Sequence, residues 1–194
     1  KIKDRIHEES GEKFMPEAVN VFLKVAEPIS FWLDIMNFPR DECKINDQIY
    51  NITLGEQDIY TVTELFERII DFRSRYTATH SSGVAAVAEL LGAYSGLSKN
   101  EQRKLKIAGH LHDLGKLAIP TEILEKTGNL TEEEINIIKT HTYYTYRILK
   151  KVSGLEEISE MAAFHHERLD GKGYPFSLKG DEISFNARIV AIAD

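Results

Sequence analysis

The chain has 194 residues, 42% of them hydrophobic and 28% charged, which is enough for one sizeable domain plus a smaller attached region and argues against wholesale disorder. A formal charge of −7 argues against a surface that coats polyanions, which needs clustered Lys and Arg, so no nucleic acid polymer is expected as a partner; a few local cations can still hold one small anion. Cys43 is the single cysteine, which excludes an intramolecular disulfide and a thiolate zinc site and fits a reducing cytoplasm.

The most apolar early stretch, Val19 to Met36, is interrupted by Lys24, Glu27, Pro28 and Asp34, so neither a membrane span nor a signal segment is expected. The sequence starts without Met and stops at Asp194 inside the apolar run that begins at Phe185, and it reads as a piece of a longer polypeptide, truncated at its C-terminus.

In chain order, residues 1–13 are polar without a clear period and read as a linker or frayed end. Apolar residues at helical spacing from Pro16 to Met36, broken at Pro28 and ended before Pro39, predict two short helices. Cys43 to Leu54 fits either a helix with a turn or an extended segment, and Gly55 punctuates it. From Thr63, a helical pattern through Leu65, Phe66, Ile69, Ile70 and Phe72 leads toward His80, and Val84, Val87, Ala88 and Leu91 continue an apolar face to Gly92.

Ser98 with Glu101, Thr131 with Glu134 and Ser153 with Glu156 have capping-box spacing and predict three helix starts. The first helix buries Leu105, Ile107, Ala108, Leu111 and Leu114 and carries His112, while His110 points elsewhere and reads as an ordinary packing or surface histidine. A short helix opened by Pro120 and closed by Gly128 follows it. The second capped helix carries His141 on the face of Ile138, Thr145 and Ile148. The third runs through Ile158, Met161 and Ala162 into His165 and His166. Glycines and a proline between Glu167 and Gly180 demand a turn-rich loop, after which Ser184 caps a last helix holding Arg188 and Asp194. The predicted fold class is all-α, with a helical bundle over residues 63–194 and a smaller helical region over residues 1–62.

His112 and Asp113 bring an imidazole and a carboxylate to one point near a helix end, with Lys116 on the same face if the helix continues. A cation beside a metal-binding pair suggests a phosphate ligand. Taken alone, the trio reads as a hydrogen-bonded pair and a solvated lysine, and an inward-facing His141 reads as a core histidine. Taken together, His80, His112, His141, His165 and His166 lie at the ends or inner faces of separate helices, and Asp113 and Asp194 add carboxylates. Nitrogen and oxygen donors without sulfur favour iron, manganese or zinc, and seven donors exceed one tetrahedral ion; two ions bridged by a carboxylate would use them all.

His112-Asp113 followed by Gly115-Lys116, then His165-His166-Glu167 and Asp170-Gly171-Lys172-Gly173-Tyr174-Pro175, resembles the HD-GYP subgroup of the HD metal-dependent phosphohydrolase superfamily, over about residues 70–194. The resemblance implies a bundle of the HD-domain type that hydrolyses a cyclic dinucleotide, chiefly cyclic di-GMP to pGpG and GMP, by attack of a metal-bridging hydroxide on phosphorus. It implies that His80, His112, Asp113, His141, His165, His166 and Asp194 hold two divalent ions, iron or manganese, with Asp113 as the catalytic bridge. Lys116 is implied at the scissile phosphate, Arg188 at the other phosphate or as an outer ligand, Gly173, Tyr174 and Pro175 in the substrate loop, and Lys172 as an anion contact.

Some members with three metals have a Glu where this sequence has Tyr76, which favours two ions, and relatives continue past the position of Asp194 with a further acidic residue and more helices. Phe14-Met-Pro-Glu and Phe31-Trp-Leu-Asp resemble the tail of a degenerate HD unit without a His-Asp doublet, so a regulatory or packing role is expected for residues 1–62. A cytoplasmic location, a cyclase-domain partner and a homodimer complete the expectations. Two alternatives stand beside the hydrolase: a signalling module that binds a nucleotide or a protein without cleavage, and an HD phosphohydrolase acting on another nucleotide. The convergent histidines argue against the first and the Gly-Tyr-Pro loop against the second.

Overall fold

The computed structural model describes residues 2–37, 55–73 and 80–194, so Cys43 to Leu54 and Tyr76 lie outside the described residues. The chain divides into two compact units, Lys1–Lys44 and Ile45–Asp194. The first contains α1 (Ile2–Glu8), α2 (Pro16–Val25) and α3 (Ile29–Asn37). The last two are the short helices expected on either side of Pro28. Pro16 takes the first helical position of α2, where its missing N–H removes no intrahelical bond. α1 replaces the expected linker. It buries no residue, and beside it Glu9 pairs with Arg5 at 3.2 Å and Lys13 at 3.0 Å; a helix with polar neighbours and no buried stripe leaves no hydrophobic period to read. Phe22, Phe31 and Trp32 meet edge to face, and Trp32 Nε1 donates to the Ala26 carbonyl at 2.9 Å.

The second unit is all-helical among the described residues: α4 (Glu56–Arg73), α5 (His80–Tyr94), α6 (Lys99–Leu111), α7 (Thr121–Leu124), α8 (Glu132–Leu149), α9 (Glu156–Ala163) and α10 (Phe185–Ala193). Tight 3-10 turns cover Leu114–Ala118, Phe164–His166 and Gly180–Glu182, and β pairing among the described residues is limited to two isolated bridges. α4 begins at Glu56, ahead of the Thr63 where the apolar pattern strengthens, and α7 ends at Leu124, short of Gly128. Ser98 and Thr131 close reciprocal capping boxes with Glu101 and Glu134, and Ser184 Oγ accepts from Ala187 N, as their spacing predicts.

The third predicted box does not form. α9 starts after Leu155, and Glu156 instead accepts from Gly154 N at 2.9 Å.

α6 is the central element, packed against α4, α5, α9 and α10. Its Leu105, Ile107, Ala108 and Leu111 join Ile70, Ala88, Leu114, Ile158, Met161, Ala162, Ile189 and Val190 in one core. The helix ends at Leu111, and Leu114 stays in this core from the following 3-10 turn. A second cluster of Ala163, Phe164, Ile183 and Ala187, with Tyr146, Phe176 and Leu178 packed on it, supports the loop after His166. No described helix is long and apolar enough to cross a membrane.

Candidate functional site

The core fixes helix ends, and the helix ends carry the polar side chains. His80 opens α5, His112 and Asp113 follow α6, His141 lies within α8, His165 and His166 occupy the 3-10 turn after α9, and Asp194 follows α10. The Nδ1 atoms of His112, His141 and His165 each lie 2.7 Å from the backbone carbonyl three residues earlier, at Gly109, Ile138 and Ala162. A carbonyl only accepts, so each Nδ1 is the protonated donor, and each Nε2 is directed at the cluster. Thr145 ties two of these elements together. Its hydroxyl donates to the His112 carbonyl at 3.0 Å and accepts from Gly115 N at 2.9 Å. Gly115 has no alternative here, because a Cβ at that position would lie 1.8 Å from the His141 carbonyl oxygen.

All seven predicted donors come together. Asp113 spans the cluster, with Oδ2 3.2 Å from His112 Nε2 and Oδ1 3.4 Å from His141 Nε2. Asp194 Oδ1 lies 2.9 Å from His80 Nε2 and 3.4 Å from His112 Nε2. His141 Nε2 and His165 Nε2 are 3.5 Å apart, and the His141 and His166 ring centroids are 5.5 Å apart. Three overlapping groups have the donor types and spacing to hold a cation: His80, His112 and Asp194; His112, Asp113 and His165; and His141, His165 and His166.

The electrostatics fit a cation. Burial lowers the His141 imidazole to about 4 despite the Asp113 charge, and burial first, then neighbouring imidazoles, keeps His165 well below the usual range. His166 is lowered by burial too. These rings are neutral near pH 7, the form that ligates a metal. Burial also acts to lower His112, but the charge of Asp113, the nearby carboxylates of Asp113 and Asp194, and the Gly109 carbonyl that accepts from Nδ1 outweigh it and raise the ring to about 10. Burial acts to raise Asp113, yet His112, Lys116 and His141 hold it well below the carboxylate range; the adjoining His112 does the same for Asp194. His112 Nε2 is nevertheless a buried atom aligned with no hydrogen-bond acceptor. An orphaned nitrogen between two ionised carboxylates is a place where a divalent cation satisfies every group at once, so the residues present fit a metal.

Lys116 Nζ donates to Asp113 Oδ2 at 2.6 Å from the 3-10 turn, so its ammonium adjoins the central carboxylate although the α-helix has ended. Tyr174 lies across the cluster, its ring 5.0 Å from that of His166. Burial, then the charges of Asp113 and Asp194, raise its hydroxyl to about 12, so it remains a proton donor at neutral pH. Pro175 is fully buried and follows a cis peptide bond.

Gly173 allows close packing, since a Cβ there would fall 2.5 Å from Glu167 Cα. Glu167 organises this loop: its buried carboxylate accepts from Phe176 N at 2.7 Å and Leu178 N at 2.9 Å. Glu167 and Thr145 are tasks that sequence spacing did not disclose, although Glu167 stands within the His-His-Glu motif. Lys172 is exposed, and Arg188 donates to the Ile183 and Gly180 carbonyls at 2.9 and 2.8 Å. His110, on α6, is buried and lies 2.6 Å from Glu67 of α4, so it is a packing residue.

The profile of the HD domain family matches residues 64–194, and the chain belongs to that family, in its HD-GYP subgroup. Over 194 residues it is 34% identical to 3'3'-cGAMP-specific phosphodiesterase 3 of Vibrio cholerae, covering 95% of this chain and 41% of that protein. It is 40% identical over 141 residues to the cyclic di-GMP phosphodiesterase response regulator RpfG of Xanthomonas campestris pv. campestris, which covers 72% of this chain and 37% of the relative. Against the cyclic di-GMP phosphodiesterase PdeB of Borreliella burgdorferi the identity is 32% over 198 residues, or 96% of this chain and 50% of the relative. The chain therefore spans half or less of the length of these relatives.

Proposed function

We propose that the second unit is a metal-dependent phosphodiesterase that opens a cyclic dinucleotide, taking cyclic di-GMP to pGpG and GMP. The observation that carries this reading is the convergence of five imidazoles and two carboxylates on one cluster, with His112, Asp113, His141 and His165 buried and an ammonium 2.6 Å from its central carboxylate. The names of the relatives, cyclic di-GMP and 3'3'-cGAMP phosphodiesterases, support the substrate class.

His80, His112 and Asp194 would hold one divalent ion and His141, His165 and His166 a second, with Asp113 turned toward both groups; iron or manganese suits this sulfur-free set. Bound metal would supply Lewis acidity and a nucleophile derived from water at neutral pH. Lys116 would place its charge against the scissile phosphate and stabilise the negative charge that develops on the equatorial oxygens. Tyr174 would border the substrate site as a neutral hydrogen-bond donor, on a loop held by Glu167.

The test is anaerobic purification with metal counting, followed by product analysis on cyclic di-GMP, 3'3'-cGAMP and other cyclic dinucleotides. The expected result is about two metal equivalents per chain and linear product, both lost in Asp113→Ala. Metal-loaded protein that turns over no cyclic dinucleotide refutes the reading.

A further inference from the structure

Lys139 precedes His141 by two residues on α8, and its Nζ lies 5.5 Å from the centroid of the Tyr174 ring. Among the described residues no carboxylate pairs with this ammonium, whereas Lys104, Lys116 and Lys126 each hold one. The same Tyr174 ring lies 5.0 Å from the His166 ring, so one aromatic side chain joins the Lys139 charge to the donor cluster.

A cyclic dinucleotide carries two phosphodiesters, and a single reacting phosphate leaves the other in need of a counter-charge. Lys116 is held at Asp113, beside the reacting position. Arg188, the residue the resemblance offers for the other phosphate, donates to the backbone at Ile183 and Gly180. Lys139 is a cation at the edge of the cluster with a π-face as its contact, which leaves its ammonium protons available to an incoming anion.

We propose that Lys139 and Tyr174 form the subsite for the second, non-reacting phosphate of the cyclic dinucleotide, and that this subsite favours cyclic dinucleotides over diesters with one phosphate. The inference rests on the hydrolase reading above. The plain alternative is a solvated lysine whose methylenes cover a tyrosine ring. That lysine would affect neither substrate.

The experiment compares wild type, Lys139→Ala and Lys139→Arg on cyclic di-GMP and on bis(4-nitrophenyl) phosphate, a diester with one phosphate, with metal content measured for each. The expected result is a KM for cyclic di-GMP raised roughly ten- to hundredfold in Lys139→Ala, as for a lost hydrogen bond to a charged group, with kcat and metal content retained. The rise should exceed any change on bis(4-nitrophenyl) phosphate, and Lys139→Arg should restore most of the loss. Equal KM values for wild type and Lys139→Ala on cyclic di-GMP, or an equal rise on both substrates, would overturn the subsite. Wild type that cleaves bis(4-nitrophenyl) phosphate and no cyclic dinucleotide removes the cyclic-dinucleotide reading and the subsite together.

Discussion

The Thr145 hydroxyl makes two hydrogen bonds, and both reach the segment that carries His112 and Gly115. Replacing Thr145 with Val keeps the volume but leaves the Gly115 N–H and the His112 carbonyl without partners in a buried place. The expected cost is about 1–3 kcal/mol, measured as a lower urea midpoint of the metal-free protein, and Thr145→Ser should recover most of it. Metal affinity should fall roughly ten- to hundredfold as the turn that aims His112 and Asp113 loosens, measured by competition with a chelator. The donors themselves were legible in the sequence because imidazoles and carboxylates declare their chemistry by type. The clasp was not, because Thr145 and Gly115 are 30 residues apart and only the packed fold shows that one needs the other. Lys139 was hidden for a related reason: two residues before His141 it points off that residue's helical face, and the loop bearing Tyr174 comes back to meet it.

Helix starts give a sharper comparison, because identical spacing had different outcomes. Ser98–Glu101 and Thr131–Glu134 form boxes, whereas Ser153 precedes a start that the backbone sets at Leu155. Ser98→Ala and Thr131→Ala should each cost about 0.5–2 kcal/mol of stability, while Ser153→Ala should stay within about 0.5 kcal/mol of wild type, all read from denaturation midpoints. A spacing rule sees which side chains are able to cap, and the choice among them belongs to how α9 seats its Ile158, Met161 and Ala162 in the core. The same rule missed α1, a short helix that buries no residue. It read α6 well because the buried stripe and the cap agree there.

Across the whole molecule, the buried histidines make stability depend on pH from two sides. His141 is lowered to about 4, with His165 and His166 lowered in the same direction, so below its ordinary value of 6.5 the unfolded chain binds more protons than the folded one. Their contribution is present above about pH 6.5 and is lost as pH falls toward 4. His112 has the opposite sign. Raised to about 10, its contribution is present below about pH 6.5 and is lost as pH climbs through 10. The metal-free protein should therefore be most stable near neutrality, with a urea midpoint that drops toward both pH 4.5 and pH 10. A flat midpoint between about pH 4.5 and 7 would contradict the burial assigned to the three lowered rings. Metal loading should compete with the proton on His112, so binding should release protons and weaken in acid, which calorimetry in buffers of different ionisation enthalpy will show.

The three rings that lean on carbonyls at Gly109, Ile138 and Ala162 take their orientation from the polypeptide itself and not from another side chain. Substitution at Ile138 or Ala162 leaves the acceptor in place, since every amino acid brings a carbonyl oxygen, whereas at Gly109 a Cβ would lie 2.5 Å from Ala85 Cα and shift the segment. The aim of the imidazoles is thus inherited with the helices, and drift in the surrounding sequence leaves it intact for as long as the helices persist.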